Sequence, residues 1–116
     1  MSSPIDALAP SQGWTFLSNH AHVLICLAID PQLVLREVAR RVGITERAVQ
    51  KIVADLEHEG LVTRERMGRR NRYQLHLDQP LRHPLEAHRS VRELVEMVTS
   101  SRPGRAAGRK ARRRSP

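Results

Sequence analysis

The sequence predicts a mainly α fold with one small β-hairpin. Three observations carry that expectation. The segments "LREVARRVG" and "ITERAVQKIVADLEHEG" are two amphipathic helical stretches that meet at Gly43. The stretch "RYQLHL" alternates apolar Tyr73, Leu75 and Leu77 with polar Arg72, Gln74 and His76, the period of a strand. The stretch "VLICLAI" is apolar on every side and belongs at the centre of whatever forms.

The chain has 116 residues, which suits one compact domain with a modest core. Aromatic residues are limited to Trp14, Phe16 and Tyr73, so the core must be mainly aliphatic. No apolar run is long enough to span a bilayer, and no secretion signal is evident at the N-terminus. A single cysteine, Cys26, excludes an internal disulfide framework. A soluble, cytoplasmic protein is expected, with no membrane partner.

The net charge of +8 is unevenly spread. Seven basic residues and no acid lie between Arg102 and the C-terminus, leaving thirteen basic and twelve acidic residues before it, a net +1. The folded body is therefore nearly neutral, and the position of each charge matters more than the total.

Residues 1–14 read as a flexible N-terminal arm, rich in Pro, Ser and Gly. A first helix is expected from Ser18 or Asn19, either of which can cap it, to Ile29, before Asp30-Pro31. A short strand is expected at Leu33-Val34. In the next helix Leu35, Val38, Ala39 and Val42 fall at i, i+3, i+4 and i+7 on one face, and Gly43 stops it. Thr45 then caps a helix whose Val49, Ile52, Val53 and Leu56 face inward and whose Arg47, Gln50, Lys51 and His58 face outward. Gly60 ends it. Strands are expected at Leu61–Arg66 and Arg72–Leu77, joined by a tip "MGRRN". After the linker "DQPLRHP" a last helix is expected from Pro84 to Thr99, with Ala87, Val91, Leu94, Val95 and Val98 in one stripe. The organisation expected is an arm over 1–14, a folded domain over 15–79, a linker and a last helix over 80–100, and a disordered basic tail over 101–116.

The stretch from Ala39 to Val49 has helix-turn-helix spacing: small Ala39 at the crossing, Gly43 at the bend, Ile44 and Val49 as anchors. "LREVARRVGITERAVQKIVADLEHEGLVTRER" followed by "GRRNRYQL" resembles the winged helix-turn-helix transcriptional regulators of bacteria, similar to the MarR and ArsR groups. The resemblance spans roughly residues 15–98. It implies that the Thr45–Glu59 helix is a recognition helix and that Thr45, Glu46, Arg47, Gln50 and Lys51 face DNA. It further implies that Arg64, Arg66, Arg69, Arg70, Asn71 and Arg72 furnish the wing. MarR proteins usually carry longer flanking helices that build a dimer and a ligand pocket, and this chain is shorter.

The chemistry suits that implication. Arg47 and Lys51 match guanine O6 and N7, Gln50 matches adenine N6 and N7, and Glu46 matches a cytosine amino group. Asp55, Glu57 and Glu59 are expected to lie away from the DNA backbone. Five arginines and one acid, Glu65, make the hairpin more basic than protection of a sheet edge requires, and arginine forks phosphates well. The last helix is expected to pair with its copy in a two-fold dimer through Ala87, Val91, Leu94, Val95 and Val98, setting two recognition helices about 34 Å apart.

Other chemistries find less in the sequence. His83, Glu86 and His88, or His20 and His22 with Cys26, lack a specific metal-ligand spacing. No Gly-rich phosphate loop or nucleophile with an evident base is present, so no enzyme activity and no cofactor are expected. The function expected is sequence-specific binding of double-stranded DNA as a dimeric, nucleoid-associated transcriptional regulator. The alternatives are a metal- or small-molecule-gated repressor of the same group and a winged helix used for protein–protein assembly.

Overall fold

The structure is a computed structural model that describes residues 13–100. The basic tail and the arm up to residue 12 lie outside the described residues. The elements are α1 (Asn19–Ile29), α2 (Leu35–Val42), α3 (Glu46–His58), β1 (Val62–Met67), β2 (Arg70–Leu75) and α4 (Val91–Thr99). They fall into two compact units divided between His76 and Leu77.

In the first unit, α1, α2 and α3 pack on one another around an aliphatic core. Val23 and Leu27 of α1, Val38 of α2, and Val49 and Val53 of α3 are fully buried. Every buried residue described is apolar apart from the hydroxyl of Tyr73. Burying one such side chain contributes about 1.5–3 kcal/mol, whereas an exposed ion pair contributes about 0–1. The core therefore holds the helices together, and the surface pairs adjust how they sit.

Each helix starts and stops where local chemistry dictates. The Ser18 hydroxyl accepts the Ala21 amide and opens α1. The Thr45 hydroxyl accepts the Ala48 amide at 3.0 Å and opens α3. Gly43 closes α2 at φ 88°, a conformation that would strain a side chain. Its amide and that of Ile44 both reach the Ala39 carbonyl, at 2.8 and 3.1 Å. Leu61 closes α3 on the Leu56 carbonyl in the same way, at 2.9 Å.

Three expectations are corrected. No strand forms at Leu33-Val34. The Asp30 carboxylate and carbonyl accept the amides of Gln32 and Leu33, making a turn. One bond, from the Tyr73 amide to the Pro31 carbonyl at 2.9 Å, ties this segment to β2, too little for a ladder. The hairpin is also tighter than expected. Met67 pairs with Arg70, so the loop is only Gly68-Arg69, with Gly68 at φ 66°. Positive φ at the first central residue suits a two-residue II′ turn and draws Arg70 and Asn71 into the strand.

The third correction concerns the second unit. The last helix begins at Val91, not Pro84, and residues 83–89 form successive turns. The reason is backbone pairing upstream. Leu81 donates to the Arg89 carbonyl and Val91 donates to the Gln79 carbonyl, both at 2.8 Å, which holds Ser90 extended. Ser90 and Glu93 then form a reciprocal capping box, a stronger start than Pro84 offers. The Glu93 carboxyl is held below its usual range by the Ser90 amide and then by Arg89. Arg92 bonds Asp78 at 2.7 Å within the same unit. Ala87 consequently lies outside the helix and is exposed, while Val91 and Val95 are buried and Leu94 and Val98 are half-buried.

Two outcomes test this account. Thr45→Ala removes the cap of α3 and should cost about 1 kcal/mol, read as a lowered urea midpoint. Glu37 receives bonds from Arg40 and then Arg41, which hold its carboxyl down to about 2 from 4.5. A folded pKa below the unfolded one means that its stabilisation is complete above 4.5 and is lost as pH falls toward 2. The stability gap between the wild type and Glu37→Gln should accordingly be open at about pH 6 and close by about pH 2. A gap unchanged by acid would contradict the assignment.

Candidate nucleic-acid interface

Burial of Val49, Ile52, Val53 and Leu56 fixes the rotation of α3. Its other side then has no choice but to face out. Thr45, Glu46, Arg47, Gln50 and Lys51 are all exposed there, and they span the N-terminal half of the helix. Arg47 and Lys51 are i, i+4 neighbours, so two cationic groups and the Gln50 amide share one strip.

Apart from Glu46 in its first turn, the acids of α3 sit toward its other end, and two are tied within the unit. Asp55 Oδ2 lies 2.8 Å from Nε2 of His20 on α1. That bond, with the positive charge of Lys51, keeps the Asp55 carboxyl below its ordinary range. Glu57 is bonded to Arg64 of β1 at 3.1 and 3.2 Å. These ties hold Asp55 and Glu57 to groups outside α3, while Arg47 and Lys51 stay exposed.

The hairpin sorts its arginines by position. Val62, Arg64, Arg66 share one face with Asn71, Tyr73 and Leu75 opposite them. Val62 and Tyr73 are buried at its base, and exposure grows toward the tip. Arg64 is engaged with Glu57, with its guanidinium 5.9 Å from the Tyr73 ring centre. Arg66 bonds the Gly68 carbonyl at 3.0 Å. Arg70 reaches the Gln32 carbonyl at 3.3 Å. Arg72 stands across from Glu65 in the ladder. Arg69 at the tip and Arg72 are exposed, and no hydrogen bond of their side chains occurs among the described residues.

A shallow cleft of about 270 Å³ joins these parts. Arg69, Arg70 and Asn71 line one side of it. Glu46, in the first turn of α3, and Gln32 to Leu35, at the start of α2, line the other. The tip of the hairpin and the opening turn of α3 thus border one concave surface. The sequence reading did not find Gln32 and Val34 there, because it assigned this segment to a strand. Arg36, exposed on α2 opposite the Val38–Val42 face, was legible from helical spacing but was not singled out. The expected dimer stripe is also partly rearranged, since Ala87 is off the helix and Met97 is two-thirds exposed.

The histidines are placed in ordinary bonds. His22 Nδ1 lies 3.2 Å from the Asn19 side chain, and His83 Nδ1 accepts the Leu85 amide at 3.0 Å. Burial pushes the Cys26 thiol up, partly offset by the nearby Arg41. Among the described residues, no three His, Cys, Asp or Glu side chains converge as metal ligands, and no helix is long and apolar enough to cross a membrane.

Comparison with known proteins places this geometry. No curated protein matches the chain. Two solved structures are similar to it. One is the PcaV transcriptional regulator from Streptomyces coelicolor in complex with its natural ligand, 29% identical, covering 62% of this chain and 52% of its own, at a TM-score of 0.46. The other is a MarR family protein from Mycobacterium tuberculosis in complex with salicylic acid, 24% identical, covering 85% of this chain and 67% of its own, also at 0.46. The chain thus spans about half the length of the Streptomyces regulator. The family model for winged helix-turn-helix DNA-binding matches residues 19–63, which run from the first residue of α1 into β1. With β2 completing the hairpin, the first unit of this protein is a winged helix-turn-helix.

Proposed function

We propose that the protein is a sequence-specific transcriptional regulator that binds double-stranded DNA as a dimer. One observation carries the reading: the arginine-bearing hairpin tip borders the same cleft as Glu46, in the opening turn of α3 that leads into the exposed strip of Arg47, Gln50 and Lys51. A duplex presents a major groove flanked by two phosphate ridges. A helix about 10–12 Å across fits that groove, and a hairpin beside it reaches a ridge or the adjacent minor groove. Arg47, Gln50 and Lys51 are the base-reading set, with Thr45 and Glu46 at the helix entrance. Arg66, Arg69, Arg70, Asn71 and Arg72 serve the phosphates. Arginine suits that task because its planar fork meets phosphate oxygens bidentately. The match of residues 19–63 to a DNA-binding family supports this reading.

The dimer is proposed to form through α4. Leu94, Met97 and Val98 stand at i, i+3 and i+4 on one side of it. Met97 is 66% exposed and Leu94 and Val98 are only half-buried, so apolar surface remains there for a partner copy. Ala87 keeps no part in a helical stripe, and Val91 and Val95 are already buried within the chain. A two-fold dimer would present two copies of α3 to a two-fold-related site.

Two measurements decide between this reading and its rivals. Anisotropy titrations on duplex DNA should show affinity falling steeply with salt. Arg69→Ala with Arg72→Ala should flatten that slope by about one unit for each lost phosphate contact, on every sequence alike. Arg47→Ala should instead relax preference at a defined base position, by about 1–3 kcal/mol. Absence of any duplex binding would leave protein–protein assembly as the better reading. Sedimentation should show a dimer that Leu94→Glu dissociates, and a wild type that stays monomeric at high concentration would remove the dimer from the proposal.

A further inference from the structure

We infer that Arg64 is a positioning residue that fixes the angle of the wing against the recognition helix instead of contacting DNA; this rests on the DNA-binding reading above. Arg64 lies on β1 two residues after buried Val62, at the root of the hairpin and far from its tip. Two of the three nitrogens of its guanidinium are committed. Nε donates to Glu57 Oε2 at 3.2 Å and an Nη donates to Glu57 Oε1 at 3.1 Å. Glu57 is the penultimate residue of α3. A two-point arginine–carboxylate pair fixes direction as well as distance, which a single bond does not.

The same guanidinium lies against Tyr73, its directly opposite partner in the ladder, 5.9 Å from the ring centre. Tyr73 is only 2% exposed, and its amide holds the Pro31 carbonyl ahead of α2. One side chain therefore links the end of α3, both strands and, through Tyr73, the segment leading into α2. The bond to Glu57 raises the basicity of Arg64, in keeping with a committed pair. Exposed pairs of this kind contribute little stability. The consequence of this one is directional. From Arg64 to the tip is four residues of strand, roughly 13 Å at about 3.3 Å each. A tilt of roughly 10° at the root would carry the tip by about 2 Å, more than the whole tolerance of a hydrogen bond.

The test separates positioning from charge. Glu57→Gln removes an acid from a DNA-binding surface, so charge alone predicts tighter binding. Positioning predicts the reverse. With a duplex fragment selected by the wild-type full chain, Glu57→Gln and Arg64→Ala should each weaken specific binding roughly tenfold, the scale of one lost charged hydrogen bond. Their salt slopes should stay at the wild-type value, unlike that of Arg69→Ala. Arg64→Lys should not rescue, because an ammonium lacks the fork. Amide hydrogen exchange without DNA gives an independent readout: residues 66–72 should exchange faster in both variants. Tighter binding by Glu57→Gln, or a slope lowered by about one in Arg64→Ala, would make Arg64 a phosphate contact and overturn the inference. Unchanged wing exchange would overturn it too, whatever the DNA result. If the wild type binds no duplex, the functional reading fails, while the exchange measurement still decides whether the tie holds the wing.

Discussion

Everything on the outer surface of this protein depends on the burial of one apolar ridge. Val49, Ile52, Val53 and Leu56 close α3 onto α1 and α2, and three of them are less than 6% exposed. An α-helix is rigid about its axis, so burying one face determines the direction of every other side chain on it. Arg47, Gln50 and Lys51 face outward because those four residues face inward. The ridge is worth several kilocalories per mole through area alone, far more than any rearrangement of surface charge could recover. Presentation of the cationic strip is thus a by-product of packing and needs no polar scaffold of its own.

The polar contacts do a different job, which is alignment. His20 holds Asp55 from α1, Arg64 holds Glu57 from β1, and Arg70 holds Gln32 from the hairpin. Each joins two elements that the core alone would leave free to shear slightly. Two of these contacts also take acids of α3 out of play on the surface that bears Arg47 and Lys51. Structural ties and electrostatic tidying are therefore served by the same bonds. Tyr73 is the counterpart in the hairpin: one aromatic ring, buried at the root, supports Arg64 and leaves the tip arginines exposed.

Much of this was readable from residue order. Periodicity located α2 and α3, because each face is set by the 3.6-residue repeat and nothing distant needs to be known, whereas α1, apolar on every side, followed from its cap at Ser18 or Asn19. Ser18, Thr45, Gly43 and Gly60 marked the ends, because caps act within a turn of where they stand. The outward set on α3 followed directly. Two expectations lost to competing backbone bonds. Leu33-Val34 has strand composition, but Asp30 captures the amides of Gln32 and Leu33 in a turn. Pro84 to Arg89 has helical spacing, but pairing of residues 79–81 with 89–91 overrides it and hands the start to Ser90. In the first place one local preference lost to another, and in the second helical spacing lost to backbone pairing with residues about ten positions away.

The sequence by itself determined which segments are helices, which faces are apolar and which cations those faces leave outside, because these follow from short-range geometry. Only the tertiary structure decided that the tip at Arg69–Asn71 borders the same cleft as Glu46 and Gln32. It alone also decided that Arg64, among five similar arginines, is committed to Glu57. Those outcomes depend on how the chain closes on itself through the tight Gly68-Arg69 turn and the Pro31–Tyr73 bond, and a list of residue types carries no record of that closure.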